Sequence, residues 1–244
     1  MVITRSEGIT PTEQLLAGFC ERSFLKLWSY PNPFKEDGDE LCDLIAVFEN
    51  EVFLFFDREG QHFHNTNKDV HLNWSRWKKK VVDAQIRTAN GAERYIRSGR
   101  PIFLDAGRRT AFPLNLDATD PTIHKIVVAH GAKDACKDLS DQNVYGSLGI
   151  SYTDHVSPRT PPFILDLDRN SPVHVLDSHN LEIVLSELDT IWDLAAYLKA
   201  KLEAIRRYPI VVKRICLPII ISTSTRLPMS TSLVSEAESS ISWP

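Results

Sequence analysis

The sequence predicts an α/β fold, and three observations carry that prediction. First, residues 44–56 hold two apolar, β-rich runs, Leu44-Ile-Ala-Val-Phe48 and Val52-Phe-Leu-Phe-Phe56, separated only by Glu49-Asn50-Glu51. A near-continuous apolar run bounded by turn residues is the mark of a strand buried on both faces, and a break this short makes the pair a hairpin. Second, Ile123-His-Lys-Ile-Val-Val-Ala129 reads as another buried strand. Third, two long segments have helical spacing of apolar residues: Val81, Val82, Ile86, Ala89, Ala92, Ile96, and later Ile191, Leu194, Ala195, Leu198, Leu202, Ile205.

In chain order, residues 1–9 read as a loose end. Thr10-Pro11-Thr12-Glu13 has a hydroxyl cap, an early proline and a first-turn acid, which together start a helix. Leu15, Leu16, Phe19, Phe24 and Leu27 form its apolar face, and Pro31 and Pro33 are expected to end it. The hairpin follows. Glu40 and Asp43 enter its first strand, and Asp57 and Glu59 leave its second. A hairpin returns its ends to one edge, so these carboxylates are expected to converge there. Carboxylates held together repel one another and gain from a divalent cation, Mg²⁺ or Mn²⁺. The alternative is that each merely solvates a strand end. Glu13 either complements its helix dipole or joins the cluster as a further ligand.

The loop at 60–73 carries His62, His64 and His71, solvated or metal-binding. Trp74 and Trp77 then open a basic segment. Between Arg76 and Arg109 lie ten Lys/Arg and three acids, although the whole chain has a net charge of −4. Lys78, Lys79, Lys80, Arg76, Arg87 and Arg94 fall on or beside the first helix, which Gly99 and Pro101 close. Such local asymmetry suits a polyanion, because neutralising phosphates is what a basic face does best.

Ile102-Phe-Leu104 reads as a third strand ending at Asp105, and residues 132–160 read as loop. Phe163–Leu165 and Val173–Leu176 are candidate strands. Leu181–Leu188 reads as a short helix, and Asp189 is expected to cap a longer one reaching Arg207. The expected domain is therefore 1–208, with 179–208 as C-terminal helices. Residues 209–244 hold eleven Ser/Thr and four prolines without periodicity, and are expected to be a poorly structured tail. That tail is either an ordinary unstructured terminus or a shifted reading frame: codons for Val211 to Thr225 can be chosen so that the frame starting one nucleotide earlier reads Gly-Glu-Glu-Asn-Leu-Leu-Ala-Tyr-Tyr-His-Leu-Asn-Phe-Asn.

The chain has 244 residues, of which 43% are hydrophobic, enough for a sizeable core. Four cysteines lack any Cys-x-x-Cys pairing, and their apolar neighbours suggest buried, reduced thiols of a cytosolic protein. No secretory signal and no run of membrane-spanning length is read, so the expected location is cytoplasmic. Neither a Gly-x-Ser-x-Gly elbow, a phosphate-binding Walker loop nor a dinucleotide fingerprint occurs.

The string Glu40-Leu-Cys-Asp43-Leu-Ile-Ala-Val47, followed by Val52-Phe-Leu-Phe-Phe-Asp57, resembles an uncharacterised bacterial family whose first strand carries ELCD and whose second ends Phe-Ser-Asp-Lys. The resemblance continues through Trp74-Ser-Arg-Trp77, Gly91-Ala-Glu-Arg94, residues 126–129 and Glu187-Leu-Asp-Thr-Ile191, covering roughly 10–208. The hairpin with its entry acid is similar to the core of PD-(D/E)XK, or restriction-endonuclease-like, nucleases. This resemblance implies a mixed central sheet with flanking helices. It also implies Mg²⁺ (or Mn²⁺) held by an Asp of one strand and an acid-x-Lys of the next. Asp43 matches the Asp. The second element departs: if Arg58 replaces the lysine, Phe56 stands two residues before it, and if Asp57 is the acid, Glu59 stands in the lysine's place. Arginine cannot act as a base at neutral pH but stabilises phosphorane-like charge.

The resulting expectation is a metal-dependent nuclease, in defence or repair, with Asp43, Asp57, Arg58 and Glu40 catalytic. Asp43, Asp57, Glu40 and Glu13 are its candidate metal ligands. DNA is the expected partner, with a homodimer as a possible assembly. The alternatives are a catalytically degenerate nucleic-acid-binding module on the same fold and a protein-interaction module.

Overall fold

The computed structural model describes residues 29–57, 63, 69–114, 116, 120–139, 145–188, 190–207 and 210–212. These fall within one compact unit, residues 1–214. The strands are β1 (Ser29–Pro31), β2 (Leu44–Phe48), β3 (Glu51–Asp57), β4 (Thr122–Ala129), β5 (Gly149–Thr153), β6 (Ile164–Asp168), β7 (His174–Asp177) and β8 (Ile210–Val212). The helices are α1 (Val70–Trp77), α2 (Ala84–Arg97), α3 (Lys133–Asp138), α4 (Ser178–Glu187) and α5 (Ile191–Arg207). A π-helical segment, Lys78–Asp83, joins α1 to α2. Among the described residues no helix is long and apolar enough to cross a membrane.

The fold is mixed α/β, with a five-stranded mixed sheet in the order β1-β2-β3-β4-β7. The predicted hairpin is its centre. β2 pairs antiparallel with β3, Leu44 opposite Phe55 and Phe48 opposite Glu51. The turn holds Glu49 at φ 51. β3 pairs parallel with β4, and β4 parallel with β7. Because β3 has neighbours on both edges and helices over both faces, its apolar run is unbroken: Val52, Phe53 and Leu54 are fully buried.

Side chains alternate between two layers. Ile45, Val47, Val52, Leu54, Phe56, Ile123 and Val127 pack with Trp74, Trp77, Val81, Val82, Ala89 and Ile96 of the first helices. On the other face lie Ala46, Phe53, His124 and Ile126, all buried, together with the first residue of β3. There Glu51 Oε2 is 2.7 Å from His124 Nε2, and Lys199 of α5 reaches Glu51 Oε1 at 2.5 Å. The His124 ring stacks on Phe53. β5 and β6, which lie between β4 and β7 in the chain, form with β8 a smaller sheet in the order β6-β5-β8, and the buried Tyr152 hydroxyl of β5 donates to Val173 O at 2.9 Å.

Several expectations change. Ser29–Pro31 is an edge strand, so Pro31 does not end a helix but sits where a missing amide is tolerated. The helix expected before it, including Thr10–Leu27, lies outside the described residues. Ile102–Leu104 is not a strand: Phe103 makes only isolated bridges to Phe34 and Ala111. Asp105 folds the chain back there, its carboxylate accepting from the amides of Arg109 and Thr110. Within the expected loop 132–160 stand α3 and β5, each too short for its periodicity to register. Thr190 caps α5: its hydroxyl accepts from the Asp193 amide at 3.1 Å and donates to the Asp193 carboxylate, while Asp189, the expected cap, lies outside the described residues. Ile210–Val212 pairs with β5, so the folded unit passes the boundary expected at 208. Residues from 213 lie outside the described set.

Candidate functional site at the carboxyl ends of the parallel strands

β3, β4 and β7 run parallel, so their carboxyl ends share one edge, the edge where open α/β sheets bind ligands. Asp57 ends β3, His130 follows β4, and Asp177 ends β7. β2 runs the other way and therefore begins at this edge, which brings Asp43 there.

Asp43 and Asp57 meet as the hairpin geometry requires. The Asp43 amide donates to Phe55 O at 3.1 Å. In return the Asp57 amide donates to Asp43 Oδ2 at 2.6 Å, a short, charge-assisted bond. The Asp57 side chain is 1% exposed, and its Oδ1 lies 3.5 Å from His130 Nε2. His130 is held on two further sides. Its Nδ1 is 2.8 Å from Ser178 Oγ, at the start of α4. Its carbonyl accepts from Trp77 Nε1 at 3.2 Å. Through that last bond the beginning of the basic helical region is fastened to the strand edge.

Asp177 serves the architecture. Its carboxylate accepts from the Leu148 amide at 2.8 Å and caps α4 through the Asn180 amide at 2.8 Å. Burial pushes its carboxyl up from the usual range, against the opposing pull of those amides and of His179.

Glu40 is exposed. It lines a shallow cleft of about 250 Å³ with Lys35, Asp37, Tyr95 and Arg100, a cleft that includes neither Asp43 nor Asp57. Glu13 and Arg58 lie outside the described residues, as do Glu59, His62 and His64. Among the described residues no group of three or more His, Cys, Asp or Glu is disposed to hold a metal ion.

The basic segment resolves into two kinds of side chain. Arg76, Lys79, Lys80, Arg87 and Arg94 are all exposed. Arg87 and Arg94, seven residues apart on α2, fall along one helix face. Lys78 is half-buried and pairs with Asp83 at 2.8 Å, an i, i+5 contact that the π-helical turn brings into register. Arg97 pairs with Glu93 and Asp120, Arg100 with Glu36 while lying over the Tyr95 ring, and Arg109 with Asp105.

Sequence reasoning located Asp43, Asp57 and the basic helix. It assigned no role in the site to His130, Ser178 or the indole of Trp77. A histidine directly after a buried parallel strand was the available signal. Comparison with protein-family models, curated proteins and solved structures gives no match to this chain.

Proposed function

We propose that this chain is a metal-dependent nuclease of the restriction-endonuclease-like class. The observation that carries the reading is the joining of two features at one strand edge. Asp43 and Asp57 are one hydrogen bond apart, and the basic helical region is tied to the residue beside them through Trp77 and His130. The five-stranded mixed sheet with helices over both faces supports the fold that the ELCD resemblance implies.

The donor set fits Mg²⁺, which takes one or two protein carboxylates and completes its shell with water and phosphate oxygens. Asp43 and Asp57 are the residues that would hold it. A bound cation supplies a water of lowered pKa and screens the phosphodiester. The chain's own part is positioning. The Asp57 amide orients the Asp43 carboxylate, and His130, steadied by Ser178, stands against the Asp57 carboxylate. Arg76, Lys79, Lys80, Arg87 and Arg94 supply phosphate contacts that fix the strand without reading its sequence. Arg58, at the position of the family lysine, would stabilise charge rather than accept a proton.

A second reading, a nucleic-acid-binding module with a decayed site, is favoured by one observation: no third metal ligand joins the two carboxylates among the described residues. Cleavage of end-labelled DNA and RNA with Mg²⁺ or Mn²⁺, against EDTA, separates the two. EDTA-sensitive cleavage lost in Asp43→Asn is the expected result. Binding without cleavage supports the second reading, and neither binding nor cleavage leaves a protein-interaction module.

A further inference from the structure

We propose that Tyr145 is a stacking platform for an unpaired nucleobase, which makes single-stranded nucleic acid the preferred substrate of the site. The inference rests on the nuclease reading and specifies its substrate class.

Tyr145 is 52% exposed. Its ring lies parallel to that of His179, with centroids 5.0 Å apart and planes 11° apart. His179 directly follows Ser178, whose hydroxyl holds His130 beside Asp57. Tyr145 therefore stacks on the residue next to the serine that holds His130 beside Asp57. Among the described residues the other large exposed aromatic, Trp192, stands at the turn end of the hairpin, packed edge-on against Phe48, away from this edge.

The backbone beneath Tyr145 is locked. Gly146 has φ 69, and a Cβ there would fall 2.2 Å from Lys133 O, so only glycine lets the segment lie this close to α3. Ser147 is buried, and its carbonyl takes the Cys136 thiol at 3.3 Å. The Leu148 amide donates to Asp177. Gly146, Ser147 and Leu148 are all buried while Tyr145 is exposed. An aromatic ring on a fixed backbone needs little ordering when a partner arrives.

Aromatic side chains beside a basic track are how proteins hold single strands, because every base has a face to stack. In a duplex those faces are already occupied by neighbouring pairs. The exposed cations bind phosphates of either form, so discrimination must come from a platform of this kind.

The test is fluorescence anisotropy of the full chain in EDTA, with labelled single-stranded DNA, single-stranded RNA and a duplex of the same sequence. Tyr145→Ala should weaken single-strand binding about tenfold, leave duplex binding unchanged, and make no difference on an abasic strand that keeps the phosphates. Tyr145→Trp should retain single-strand affinity. Whichever of DNA and RNA shows the larger Tyr145→Ala loss identifies the source of the base. Equal losses on single strand and duplex, or no loss on single strand, overturn the platform while leaving the nuclease reading standing. If the unaltered chain binds neither form, the nucleic-acid reading falls and takes this inference with it.

Discussion

The main-chain amide of Asp57 donates a 2.6 Å hydrogen bond to Oδ2 of Asp43. It links the residue entering β2 to the last residue of β3, so the open end of the hairpin is closed by a carboxylate rather than by another backbone pair. Asp43 thus has a structural duty as well as a place in the site, which changes what its removal should do.

Asp43→Ala should cost about 1.5–3 kcal/mol in urea unfolding, the range for a hydrogen bond to a charged group. Asp43→Asn keeps an oxygen acceptor for the Asp57 amide and should cost less. Both should abolish divalent-dependent cleavage. Full activity in the Asn variant would remove Asp43 from the site.

Reversing Arg76, Lys79, Lys80, Arg87 and Arg94 to Glu should weaken binding to duplex DNA and flatten its salt dependence. Each lost phosphate contact takes about 0.9 from the slope of log affinity against log salt. Lys78→Glu should have a smaller effect, because that ammonium is already paired with Asp83. An unchanged slope after the five-fold reversal would favour the interaction-module reading.

Acid should destabilise the fold through two buried histidines. Burial holds His174 well below the ordinary imidazole value, with Lys201, His124 and Lys125 adding to the effect. Burial also lowers His124, against the pull of Glu51. In the unfolded chain both take up protons near pH 6.5, the ordinary imidazole value, while the folded chain resists. The unfolded state therefore binds more protons as pH falls below that value, and stability is lost in that direction. Neither ring nitrogen of His174 has a hydrogen-bond partner among the described residues. His174→Leu should flatten the fall in urea midpoint between about pH 7 and 5, and an unaltered profile would count against this origin.

Lys125 of β4 is 4% exposed, and its ammonium contacts Glu93 at 2.7 Å and Asn90 at 2.7 Å. Burial alone would raise the Glu93 carboxyl, but Lys125, with help from Arg97, brings it below its usual value. Lys125→Ala should cost about 3 kcal/mol, the low end for breaking a buried pair, since Glu93 keeps Arg97. Lys125→Met, which retains the side-chain volume, paired with Glu93→Gln should recover part of that loss in a thermal melt.

The sequence by itself determined the hairpin. Leu44–Phe48 is the strand the apolar run predicted, and β3 exceeds its predicted run by one residue at each end. Two-faced burial writes a continuous apolar pattern into sequence, and a strand needs no more information than that. The helical faces of α2 and α5 were legible for the same reason, through apolar residues three and four apart. Exposed cations on α2 were legible as charge. What only the tertiary structure decided was partnership. Glu51 reads as a turn residue, yet it is buried against His124 and Lys199, because the sheet and α5 close over it. Glu40, three residues from Asp43, forms a bridge with Phe34 and lines a cleft with Lys35 and with Tyr95 and Arg100, which come from a distant segment. His130, Ser178 and Tyr145 lie far apart in the chain, and parallel strand pairing with the packing of α3 and α4 brings them to the edge where Asp43 and Asp57 meet. Local periodicity carries the strands and helices, whereas contacts between distant segments depend on how those elements dock.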